Sequence, residues 1–96
     1  MGACTFFTRA MGATPEKAFR AAVDEAAWDH GHGGYTGTIA EKNSFTLIKV
    51  LDGEDPRRYA RDLVDNDDPR VEDKWGPAGC IELSPGSYYF FGWASS

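Results

Sequence analysis

Residues 30 to 42 read His30-Gly31-His32-Gly33-Gly34-Tyr35-Thr36-Gly37-Thr38-Ile39-Ala40-Glu41-Lys42, a segment dense in groups that bind small anions. Its glycines suit a backbone that must turn at positive φ or let a ligand approach closely. Its hydroxyl groups and its lysine suit phosphate oxygens. A second segment, Lys74-Trp75-Gly76-Pro77-Ala78-Gly79, adds a further ammonium and a flat indole on which a base could stack. Together they assign phosphate to Thr36, Thr38, Lys42 and Lys74, and a base to Trp75 or Tyr35. Plainer readings stay open for both segments: pure turn geometry for the first, and an aromatic plug over the core for the second. The glycine segment is also no recognised phosphate loop, because it follows a helix, whereas the known fingerprints lie between a strand and a helix. An alternative anion site combines His30 and His32 with Arg57 and Arg58 at the start of a later helix.

Catalysis finds less support. Asp29, His30 and His32 make an incomplete metal set, and Cys4 and Cys80 match no metal spacing, so neither metal nor cofactor is expected. His30 or His32 with Asp29 could exchange protons, but paired polar residues at a helix end are more often structural, and no catalytic residue is assigned. Cys4 falls in an expected strand with no helix N-terminus near it to activate the thiol.

Composition narrows the setting. A chain of 96 residues, 42% hydrophobic, suits one domain over 1–96 with one core. The net charge of −5 argues against nucleic acid, for which a clustered basic face is usual. The carboxylates Asp62, Asp65, Asp67, Asp68, Glu72 and Asp73 read as a solvated helix end and loop, or as a surface that grips a basic partner. No apolar run is long enough for a membrane span and no secretion signal opens the sequence, so a cytosolic protein with two free thiols is expected.

These groups must be positioned by a small set of elements. Ala3 to Arg9 reads as a strand. Thr14-Pro15-Glu16 is a helix start, with Phe19, Ala22, Val23, Ala26 and Ala27 as the apolar face and Gly31 as the stop. Tyr35–Ala40 and Ser44–Leu51 read as a hairpin, Asp55-Pro56 as the start of a second helix ending near Asn66, and Cys80–Leu83 with Tyr88–Trp93 as a hairpin around Pro85-Gly86. The order suggests an α+β fold: a two-layer ferredoxin-like β-α-β-β-α-β sheet with an added C-terminal strand. Right-handed crossovers then give the spatial order 4-1-3-2 with the fifth strand beside the fourth, both helices on one face, and Cys4 and Cys80 on neighbouring strands. In that arrangement the strand Tyr88–Trp93, aromatic on both faces, needs a cover, which favours a homo-oligomer.

The motifs Gly-His-Gly-Gly-Tyr-Thr-Gly-Thr-Ile-Ala-Glu-Lys at 31–42 and Asp-Lys-Trp-Gly-Pro-Ala-Gly at 73–79 resemble a family of small proteins carried by tailed bacteriophages. The resemblance implies a context in which small proteins counter host defence, and transfers no catalytic residue. The expected function is a non-enzymatic protein that sequesters a small phosphorylated nucleotide-derived immune signal. The alternatives are an acidic protein–protein inhibitor of a host defence enzyme and, behind it, a small His-dependent enzyme.

Overall fold

Two capped helices and a sheet with apolar residues on both faces organise the chain. The computed structural model describes residues 3–30, 39, 42–50, 53–73 and 76–95. In chain order the elements are β1 (Ala3–Met11), α1 (Pro15–His30), β2 (Phe45–Leu47), α2 (Pro56–Asp65), β3 (Ala78–Ser84) and β4 (Ser87–Ser95). Neither helix is long and apolar enough to cross a membrane.

Both helix starts follow the expected chemistry. The Thr14 hydroxyl accepts from the Lys17 amide at 3.2 Å ahead of Pro15, and the Asp55 carboxylate accepts from the Arg57 amide at 3.1 Å ahead of Pro56. At its far end α2 closes through Asp67, which has a φ of 52°. The Asp68 amide then reaches back to the Leu63 carbonyl at 2.9 Å, and the Asp67 amide to Val64 at 3.2 Å, satisfying carbonyls the helix would otherwise orphan. In the β3–β4 turn Gly86 has a φ of 82°, as the third position of a Pro-Gly type II turn requires.

The sheet has the order β1-β4-β3-β2. β1 with β4 and β4 with β3 are antiparallel, while β2 runs parallel to β3, to which α2 connects it. The α+β class therefore holds, but the ferredoxin-like order is not the one found among the described residues. β4 lies between β1 and β3 instead of at an edge, and Cys4 and Cys80 are not on neighbouring strands, since β4 pairs with both β1 and β3. Of the expected hairpin, β2 keeps only Phe45–Leu47, and residues 35–38 and 40 lie outside the described residues.

The helices take opposite faces of the sheet, not the same one. Ala18 and Ala22 of α1 pack with Phe6, Cys80, Phe90 and Ala94, while Ala60, Leu63 and Val64 of α2 pack with Ile81 and Phe91. The physical reason lies in β4. Phe90 and Phe91 point to opposite sides and both are 0% exposed, so a sheet covered on one face would leave one of them in water. This three-layer packing covers the aromatic strand within the chain and removes the argument for a second copy over it. Gly79 allows the layers to approach, because a Cβ there would meet the Phe91 ring at 2.6 Å.

Candidate functional site

An open cleft of about 460 Å3 lies between the first half of α1 and the segment that leads into β2. Helical spacing aligns Glu16, Phe19, Arg20 and Val23 along one side of α1, and Asn43, Ser44 and Phe45 form the facing wall. Its base is aromatic. The rings of Phe19 and Phe45 are 5.1 Å apart and tilted, and each also meets Phe90, at 5.5 and 5.8 Å. Glu16, Arg20, Asn43 and Ser44 are exposed around this base, giving a hydrophobic seat with a guanidinium, a carboxylate, an amide and a hydroxyl at its rim.

Lys42 holds this wall in place. It is 3% exposed, and its Nζ donates to the Gly76 carbonyl at 2.9 Å and the Asp73 carbonyl at 3.3 Å. Two residues on, the Ser44 carbonyl accepts from the Ala78 amide at 3.0 Å. These bonds tie residues 42–44 to Asp73, Gly76 and Ala78. The role expected of Lys42 differs: its ammonium is engaged with backbone carbonyls of its own chain, which corrects its reading as a displayed phosphate ligand.

Tyr35, Thr36, Thr38, Lys74 and Trp75 lie outside the described residues, as does His32, and the same holds for the side chain of His30. Of the alternative anion site, Arg57 and Arg58 are both exposed on α2. The Arg57 guanidinium lies over the Tyr89 ring, 5.8 Å from its centre, and Arg61 lies 4.9 Å from that of Phe7.

Burial and pairing shape the thiols and the acidic run. Cys80 is 0% exposed, and burial, reinforced by the charges of Glu16 and Glu82, pushes its thiol up to about 12. Tyr88 is likewise raised, first by burial and then by Glu82. Cys4 is exposed, and both cysteines are free. Within the acidic run Asp68 is occupied by Arg70, whose Nε and Nη2 donate to its two oxygens at 2.9 and 3.0 Å. Among the described residues no three His, Cys, Asp or Glu side chains are grouped to hold a metal ion.

The sequence reading missed Arg20, Asn43 and Ser44 as cleft residues and assigned Phe19 only to the core. The spacing Glu16–Arg20 was the available signal, but an i, i+4 pair of opposite charges usually marks a solvated helix surface. Compared with protein-family models, with curated proteins and with solved structures, the chain matches none.

Proposed function

We propose that the chain is a non-enzymatic binding protein whose α1–β2 cleft takes a small, ring-bearing phosphorylated ligand of the nucleotide type. The observation that carries this reading is the pairing of an aromatic base, Phe19 on Phe45, with an exposed Arg20 guanidinium on the helix wall and the exposed Asn43 and Ser44 on the facing wall. The rings offer area to a base, Arg20 offers a charge-assisted fork to a phosphate, and the amide and hydroxyl can meet a base edge or ribose. Tyr35, Thr36, Thr38, Lys74 and Trp75, outside the described residues, remain the sequence's own candidates for phosphate and base. Sequestration of an immune signal in a phage setting rests on the resemblance of segments 31–42 and 73–79 and stands with it.

The test is calorimetry and thermal shift against nucleoside mono- and diphosphates and cyclic dinucleotides. A bound ligand should raise the melting temperature by mass action. Arg20→Ala should weaken binding tenfold to a hundredfold, as loss of a charge-assisted hydrogen bond of about 1.5–3 kcal/mol implies, and added salt should weaken the wild type. Lys42→Met should act otherwise. It frees the carbonyls of Asp73 and Gly76, so it should lower stability before any ligand is added, by about 1.5–3 kcal/mol. No shift with any nucleotide at millimolar concentration would reject the proposal.

A second reading has one observation of its own. Asp62, Asp65, Asp67 and Glu72 are exposed, and the ion pair recorded within this run is that of Asp68 with Arg70. An acidic face left open in this way suits an inhibitor of a basic host enzyme. Neutralising Asp62 and Asp65 would abolish that activity and leave nucleotide binding unchanged.

A further inference from the structure

β1 is an end strand of the sheet, bonded to β4 on one side, and its other edge makes no backbone hydrogen bond among the described residues. That edge is long and regular. Its register with β4 runs unbroken from Ala3 opposite Ser95 to Met11 opposite Ser87, with no bulge and no proline. Exposed edges are usually blunted by such devices or by inward-pointing charge, because free amides and carbonyls invite another strand. Here the single charged residue of the strand is Arg9.

The flank of this edge is basic. By strand alternation Phe7 and Arg9 share the face covered in part by α2. On that face Arg61 reaches over the Phe7 ring at 4.9 Å and Arg57 over Tyr89 at 5.8 Å, while Arg9 Nε donates to the Ser87 hydroxyl at 3.3 Å. None of the three is ion-paired among the described residues, although the chain carries a net charge of −5. The aromatic rings beneath Arg57 and Arg61 hold these exposed guanidiniums over the sheet, where they can donate to carboxylates.

We propose that the outer edge of β1 receives an extended acidic segment of a partner protein as a fifth strand. Main-chain hydrogen bonds to β1 supply the attachment, and carboxylates at alternate positions of the added strand meet Arg9 and Arg61. Charge decides the occupant. A second copy of β1 contains no acidic residue and would set its own Arg9 and Arg61 against the first set, which like-charge repulsion opposes.

The test uses the whole chain and two nine-residue peptides of alternating valine and glutamate, or valine and lysine. Hydrogen exchange should show new protection of β1 amides with the glutamate peptide and none with the lysine peptide. Joint Arg9→Gln and Arg61→Gln substitution should weaken glutamate-peptide binding at least tenfold, with Lys49→Gln at the opposite end of the sheet as the control. Equal protection by both peptides, or an unchanged affinity in the double variant, would overturn the role of charge. Protection of β1 that appears with rising protein concentration and no peptide would overturn the choice of occupant in favour of a second copy.

Discussion

Lys42 and Cys80 show how burial changes what a reactive side chain can do. Each is chemically suggestive in the sequence, and each is enclosed in the fold, Lys42 at 3% exposure and Cys80 at 0%. A thiol pushed up to about 12 is protonated at neutral pH, whereas the exposed Cys4 is accessible. Titration of the native protein with a thiol reagent at pH 8 should therefore count one reactive cysteine, and titration in denaturant two. Two fast thiols in the native state would contradict the burial of Cys80. Asp68 illustrates the opposite shift: hydrogen bonds from Arg70 hold its carboxyl below the usual 3.8. A carboxyl lowered by folding stabilises the protein above its unfolded pKa, and this contribution fades as acid protonates it in the native state. The pair is at the surface, so Asp68→Asn should cost less than about 1 kcal/mol at pH 7, and urea midpoints should show that difference shrinking as the pH falls below the usual carboxylate range.

Among the elements, those announced by local chemistry were legible. Thr14-Pro15, Asp55-Pro56 and Pro85-Gly86 each act through atoms a few residues apart, and each forms the cap or turn that its residue types require. The β3–β4 hairpin was legible for the same reason. β2 was legible as a strand, since Phe45–Leu47 falls within the expected Ser44–Leu51, but its partner was not, because it pairs in parallel with β3, a contact made across the whole of α2. The cleft inherits this difficulty: Phe19 looks like core, and only the approach of residues 42–45 turns one side of α1 into a wall. Gly79 likewise falls before the strand expected to begin at Cys80, yet it sits in β3 with Phe91 and Val71 pressed against it. Gly79→Ala should accordingly lower stability by about 1–3 kcal/mol, since its methyl would lie 2.6 Å from the Phe91 ring and force the core to shift. A urea midpoint unchanged by this substitution would contradict the close approach of the layers.

At the scale of the molecule, one strand determines the architecture. β4 carries Tyr88, Phe90 and Ala94 into the core under α1 and Phe91 into the core under α2, so it must occupy the interior of the sheet with a helix on each side. Periodicity shows that such a strand is apolar on both faces, but it does not say whether a second helix or a second subunit covers the other one. The two possibilities differ in a measurable way. If the second face were a subunit interface, a charge on one side of β4 would dissociate an oligomer and leave a folded monomer, while a charge on the other would unfold it. In the three-layer arrangement Phe90 and Phe91 are both 0% exposed within a single chain. Phe90→Glu and Phe91→Glu should then act alike, each placing a carboxylate in a dry core at a cost that rivals a typical total stability of about 5–15 kcal/mol. Circular dichroism and light scattering on the two variants should find both chains unfolded at 25 °C. A folded, smaller species from either one would return the uncovered-sheet arrangement to consideration.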